Sequence, residues 1–273
     1  MSYANFMPTI WSARLNANLR KALVYGNIVN TDYEGEIAGV GSTVRINTMG
    51  AVTIGDYDKD NGVGDPETLD SDFTTLTLDQ QKFFNFKVDD IDKAQTRANL
   101  VDLSMGEASY GLADVMDQYI ASFYTEAAST MGSDASPLSV TKDNIYDYIV
   151  DLNVLLSEKD VPKMGRFVVL PEFCQGLLQK NPLLTKEPQV VHDAYVGNIA
   201  GTQIFTSNNV PNNGGEKYKV LAGHRMAISF AQSIDSLEAY RPEKYFADAV
   251  KGLQFYGAKV IKPEALAVMT INR

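Results

Sequence analysis

The sequence predicts an α+β chain on three observations. Apolar residues recur at helical spacing from Asn99 to Gly132. Two sets of alternating segments flank an acidic, turn-rich stretch, and helices alternate with short apolar strands through the second half. The chain has 273 residues, 45% of them hydrophobic, enough for a sizeable core in one large domain or two modest ones.

The elements follow in order. Leu15, Leu19, Ala22 and Leu23 lie at helical spacing, so a short helix is expected over Pro8 to Tyr25, with Trp11 near its start. Ser42 to Thr48 and Ala51 to Ile54 alternate as strands around Met49-Gly50. Asn61, Gly62, Gly64 and Pro66 then mark a turn region. Phe73 to Leu78 and Lys82 to Val88 read as a second strand pair. The two β arms and the acidic tip between them form a long hairpin, which has little core of its own and needs another chain to lie on.

The long helix comes next. Asn99 with Asp102 three residues later is a variant capping box. Leu100, Leu103, Ala108, Leu112, Val115, Met116, Tyr119, Ile120, Phe123 and Ala127 carry the period, and Met131-Gly132 ends it. At 1.5 Å per residue this is a rod of roughly 43 Å. Gly106 and Gly111 each cost about 1 kcal/mol relative to alanine, so tertiary packing has to hold it. In the second half Thr141 caps a helix to about Ser157, with Ile145, Ile149, Leu152, Leu155 and Leu156 on its inner face. Arg166 to Leu170 is a buried strand, and Pro171 opens a helix from Glu172 to Gln179. Thr202 to Thr206, Val220 to Ala222, Met226 to Phe230, Gly257 to Lys262 and Ala265 to Ile271 are expected strands.

Charge and composition exclude several classes. The net charge is -10, which makes the whole molecule a poor nucleic-acid clamp, because such binding rests on neutralising phosphates. The charge is uneven. Residues 1 to 31 hold Arg14, Arg20 and Lys21 and no acid, whereas residues 56 to 72 hold seven acids (Asp56, Asp58, Asp60, Asp65, Glu67, Asp70 and Asp72) against Lys59, or -6. No stretch is long and apolar enough for a membrane span, and Met1 to Ile10 lacks the features of a secretory signal. One cysteine, Cys174, leaves no internal disulfide framework and points to a cytosol.

Chemistry-bearing groupings are sparse. His192 and His224 are the only histidines, and neither has a second His or Cys at ligand spacing. Gly39-Val-Gly41 lacks the third glycine of a dinucleotide loop and leads into a strand. Asp56, Asp58, Asp60 and Glu67 match positions 1, 3, 5 and 12 of a calcium loop. However, Asn61 stands where that loop wants glycine and the flanks are strands, so the stretch reads as an acidic hairpin tip. With no acid, base and nucleophile grouping, the chain is not read as an enzyme, and no metal or cofactor is expected.

Several segments together resemble one family. They are Pro8-Thr-Ile-Trp11, Val29 to Glu36, Gly41-Ser-Thr-Val44, Phe86 to Asp92, and Val161 to Arg166 with Leu170-Pro-Glu-Phe173. Further on come Gly197 to Gly201 with Ser207 to Pro211, and Tyr240-Arg-Pro-Glu followed by Phe246-Ala-Asp248, Gly252-Leu253 and Tyr256 to Val260. In this order, over nearly the full length, the chain resembles the major capsid protein of tailed double-stranded DNA phages. The resemblance implies an N-terminal arm over residues 1–41 and an extended β-hairpin loop over 42–88. It implies a peripheral domain with a spine helix over 89–140 and about 251–273, and an axial α/β domain over 141–250.

By that resemblance, copies assemble as hexamers and pentamers into an icosahedral shell around packaged DNA, held by non-specific contact. Asp56, Asp58, Asp60, Asp65 and Glu67 are then candidates for contact with a neighbouring subunit, and Arg14, Arg20 and Lys21 for a basic arm on the inner face. The family often carries a long N-terminal scaffolding segment, and this chain starts almost at the arm. Either that segment has been cleaved away or a separate scaffolding protein does its work. The second is the favoured expectation, with a portal and decoration proteins as further partners. The location implied is the virion capsid, with the host cytoplasm before assembly and no membrane. The alternatives are an encapsulin-type nanocompartment shell and, in another class, an intracellular enzyme.

Overall fold

Alternating side chains build the first sheet. The computed structural model describes residue 15 and residues 23–33, 43–49, 54, 59, 71–89, 100–181 and 195–273. Strands β1 (Thr43–Met49) and β2 (Ser71–Thr77) pair antiparallel, with Thr43 opposite Thr77 and Met49 opposite Ser71. Val44, Ile46 and Leu76 turn inward and bury with Ala231. The expected hairpin therefore exists, and its acidic connection lies outside the described residues.

The second expected pair forms differently. Strand β3 (Gln80–Asp89) is not bonded to β2; it joins a three-stranded antiparallel sheet in the order β11 (Ile228–Tyr240), β12 (Ala247–Val260), β3. Only Leu78 and Asp79 separate β2 from β3, and neither is the glycine or asparagine that a two-residue hairpin turn demands. The chain instead steps from one sheet to the next.

A larger mixed sheet forms the rest. Its order is β4 (Ser129–Met131), β13 (Leu266–Asn272), β10 (Lys217–His224), β6 (Arg166–Leu170), β8 (Thr202–Thr206), β7 (Tyr195–Ile199). Strand β5 (Leu138–Ser139) also borders β13, and β9 (Asn212–Asn213) borders β10. Helices α3 (Ile145–Glu158) and α4 (Glu172–Gln179) pack into the core of this sheet, burying Ile145, Ile149, Leu152, Leu156, Cys174 and Leu178. Asn144, not Thr141, is the N-cap of α3. Its Oδ1 accepts from the Thr141 amide at 2.7 Å, so it reaches back along the chain and makes no bond to the helix's own first amides.

The long helix α2 (Leu100–Ala121) lies on the three-stranded sheet, with Met105, Leu112, Met116 and Ile120 buried. Leu103 and Val115 point away, at 62% and 36% exposure. The helix is shorter than its periodicity suggested. It tightens into a 3-10 turn at Ser122–Glu126, and Ser129–Met131 becomes β4, parallel to β13. Ser122, Phe123, Tyr124 and Thr125 are mediocre helix formers. The Ser122 hydroxyl bonds back to the Tyr119 carbonyl at 2.6 Å, and the Ala128 amide donates to the Pro263 carbonyl at 3.1 Å. Phe123, Tyr124 and Ala127 still pack on the core, which preserves the apolar period without the helix. Since Leu112 is 7% exposed, Leu112→Ala is expected to cost about 2–5 kcal/mol. A chemical-denaturation midpoint equal to wild type would contradict this packing.

Of the expected helix over Pro8 to Tyr25, most residues lie outside those described. Leu15 is helical and buried, and a single helical turn, α1 (Tyr25–Ile28), follows. The strand expected at Ala51 also falls outside, except for Ile54, which is almost fully exposed.

Candidate assembly surfaces

The root of the hairpin is clamped from two sides. Leu78 is buried, and Asp79 Oδ1 accepts a hydrogen bond from the Tyr119 hydroxyl on α2 at 3.3 Å. Burial first, and the Asp79 charge second, push the Tyr119 phenol up to about 12, so it stays protonated and donates. On the other side β12 passes beneath the strand end at Gly257. A methyl group there would lie 2.1 Å from the Thr77 carbonyl oxygen. Beyond this root the hairpin turns Arg45 and Phe73 outward, with the guanidinium 5.1 Å from the ring centre and the ring 54% exposed.

The three-stranded sheet has two unlike faces. Phe84 and Phe86 stack at 6.0 Å and lean on the cluster of Leu15, Val88, Met105, Leu237 and Val250. Phe83, just before them in sequence and on the opposite face, stands out at 77% exposure. Near it run a Lys251–Glu238 ion pair at 2.7 Å, a Tyr240 hydroxyl bonded to Asn85 at 3.2 Å, and Lys87 held 3.5 Å above the Tyr245 ring. Phe246, in the connection between β11 and β12, is 85% exposed. Aromatic side chains set among paired charges are the composition of a contact surface.

The N-terminal segment is anchored by a buried acid. Asp117 on α2 accepts the Val24 amide at 2.7 Å and the Gly26 amide at 3.1 Å. Leu23, Tyr25, Ile28 and Val29 are buried beside it. The Asn30 backbone then bridges to β11, donating to Ile228 and accepting from Phe230.

Of the candidates read from sequence, Asp56, Asp58, Asp60, Asp65 and Glu67 lie outside the described residues. So do Arg14, Arg20 and Lys21, and His192 with the possible calcium loop; Lys59 alone of the acidic stretch's tip is described, and it is exposed. Cys174 is fully buried in α4, and burial pushes its thiol up to about 12, far from a working nucleophile. His224 has both ring nitrogens engaged, by the Met164 carbonyl at 2.8 Å and the Met226 amide at 3.2 Å. Among the described residues no group of three or more His, Cys, Asp and Glu could hold a metal, and no helix is long and apolar enough to cross a membrane.

Sequence reasoning missed Asp117, Asp79 and Gly257. Asp117 did leave a signal: it falls four residues after Ala113 and three before Ile120, an acid on the inner stripe of an amphipathic helix. Nothing local marked Gly257, whose close neighbour is remote in sequence.

No protein-family profile matches the chain, and no curated protein does. Solved structures match over almost the whole length. A structure from Mycobacterium phage Che8 is 25% identical, with a TM-score of 0.70 and 90% of each chain covered. The capsid of cyanophage P-SCSP1u also superposes at 0.70, at 13% identity over 93% of this chain and 89% of that one. The capsid of Ralstonia phage GP4 follows at 0.63, with 14% identity and 90% and 87% covered. The hairpin, the long helix on its three-stranded sheet and the mixed α/β sheet are thus arranged as in those shells: this chain has the fold of a tailed-phage major capsid protein.

Proposed function

We propose that the chain is the major capsid protein of a tailed phage, the coat subunit of the shell that encloses its double-stranded DNA. The observation that carries this reading is the likeness to capsid subunits over about nine-tenths of both chains. The exposed aromatic face of the three-stranded sheet and the projecting hairpin fit it, since closed symmetric assembly is what covers such surface. In this reading residues 1–41 are the arm, 42–88 the extended loop, 89–140 with about 251–273 the peripheral domain, and 141–250 the axial domain. Arg14, Arg20 and Lys21 face the interior, where a few cations per subunit suffice for non-specific contact with DNA. The partners are further copies as hexamers and pentamers, a separate scaffolding protein, a portal and decoration proteins, met in the host cytoplasm before the virion is complete. The role is structural, without catalysis.

Particles recovered from infected cells test this. They should contain the chain as their dominant protein together with nuclease-protected double-stranded DNA. Shells that hold a cargo enzyme and no DNA would replace the reading with a nanocompartment, and an active monomeric enzyme would end it.

The acidic tip adds a second expectation. Crowded carboxylates at Asp56, Asp58, Asp60, Asp65 and Glu67 repel one another unless a neighbouring subunit's cations or a divalent ion faces them. Exposed pairs are each worth only about 0–1 kcal/mol and are screened by salt, but they recur at every subunit. Replacing Asp56, Asp58 and Asp60 by asparagine should lower the particle melting temperature without unfolding the subunit, and high salt should mimic the change. Equal melting temperatures at low and high salt would leave the tip as solvated surface only.

A further inference from the structure

Asp117 is an acid in an unusual position. It is 2% exposed, near the C-terminal end of the long helix, and its two oxygens hold the amides of Val24 and Gly26. Those amides start the helical turn α1, so one side chain fixes the start of the segment that Leu23, Tyr25, Ile28, Val29 and the Asn30 backbone also hold. Among the described residues, the groups that face the carboxyl offer no counter-charge. From its own helix come Asp114 and Tyr110, from α4 comes Glu172, and all three line a cleft of about 330 Å³ beside it. From the held segment comes Tyr25, a fully buried phenol whose hydroxyl has no hydrogen-bond partner. No lysine, arginine or histidine is among the residues that line this cleft.

We propose that Asp117 is a proton-controlled latch for the N-terminal segment, tight when its carboxyl is protonated and loosened when it is ionised. Two effects oppose each other. Amide donors favour the carboxylate, but removal from water and the nearby Asp114 charge disfavour it. Burial is the larger, and it raises the group from an ordinary aspartate's 3.8 to about 6. The neutral acid keeps a carbonyl oxygen for the amides, and its new O–H can point into the polar cleft. A segment that lets go returns Asp117 to water and to the ordinary value. The docked state therefore takes up the proton first as pH falls. Its extra stability is complete below about 3.8 and is lost as pH rises through about 6. Docking should weaken roughly tenfold per pH unit across that window. The latch belongs to the subunit itself and does not depend on the shell reading. Its consequence is that acid holds residues 23–30, next in sequence to the basic residues 14–21, more firmly than neutral pH does.

Hydrogen exchange of the amides of residues 23–30, measured on the purified full chain and corrected for intrinsic rates, tests the latch. Between pH 5 and pH 7.5 the wild-type protection factors should fall about tenfold or more. In Asp117→Asn, which keeps an acceptor but does not titrate, they should be flat. Asp114→Asn, a change on the half-buried helix surface, removes a like charge and should move the wild-type midpoint to lower pH. Flat wild-type protection overturns the proposal, as does a pH dependence that persists in Asp117→Asn. A midpoint that stays put or rises in Asp114→Asn also overturns it, and this holds if the asparagine at 117 proves insoluble.

Discussion

Replacing Gly257 by alanine is expected to abolish assembly while leaving most of the subunit folded. The new methyl would sit 2.1 Å from the Thr77 carbonyl oxygen, 2.9 Å from its carbon and 3.0 Å from the Leu78 Cα. All three are backbone atoms, so no side chain can swing aside. Either β12 or the hairpin root has to move, and β12 is held between β11 and β3 along most of its length. The root is the weaker party. Strain of this kind costs about 1–3 kcal/mol, which a subunit of this size survives as a drop of some degrees in melting temperature. A small displacement at the root is multiplied along the hairpin, so its outer end misses its seat. Gly111→Ala is the matched control. It sits in an exposed helix position with nothing within 4 Å of the added methyl, and alanine there should stabilise by up to about 1 kcal/mol. Soluble Gly257→Ala protein that yields particles at the wild-type level would show that the root does not set the hairpin's direction.

Arg166→Leu is expected to remove the protein from the soluble fraction. The guanidinium is buried, yet its five hydrogen bonds all go to neutral oxygens: Pro162 O at 3.0 Å, Asn153 O at 3.0 Å, Asn153 Oδ1 at 2.7 Å, Ser157 Oγ at 3.0 Å and Val161 O. It ties the last turns of α3, through Asn153 and Ser157, to the carbonyls of Val161 and Pro162 in the loop that follows. Leucine fills comparable space but donates nothing. Each oxygen left buried and unpaired costs about 1–3 kcal/mol, and several at once exhaust much of a total stability of about 5–15 kcal/mol. Lysine keeps the charge but loses the fork that reaches five acceptors together, so Arg166→Lys should fall between the two. Denaturant midpoints for the soluble variants measure the order; a leucine variant with the wild-type midpoint would mean these contacts contribute nothing.

Local pattern and local chemistry account for what could be read in advance. Glu172–Gln179 and Arg166–Leu170 were legible to the residue, because Pro171 separates a compact apolar strand from an amphipathic helix. Val44 and Ile46 revealed β1 by strict alternation. Strands β11 and β12 were seen only at their ends. Val250, Gln254, Phe255 and Tyr256 are all buried, since α2 covers one face and the hairpin root part of the other, and burial on both faces erases a period of two. The partner of β3 was illegible because pairing across most of the chain leaves no local trace. The candidate residues divide in the same way. Charge segregation exposed Arg14, Arg20, Lys21 and the acidic run, whereas Asp117, Asp79 and Gly257 take their roles from neighbours that only the fold brings near.

The exposed sheet face and the hairpin of this subunit are expected to be covered in a closed shell. Electron cryomicroscopy of the wild-type chain, produced with and without the proposed scaffolding protein and imaged as single particles, tests this most directly. The expected result is closed icosahedral shells built of pentamers and hexamers, with residues 56–72 of each subunit lying on a neighbour and residues 14–21 toward the lumen. A homogeneous monomer at high concentration under those conditions, or particles in which the hairpin touches only its own subunit, would contradict it.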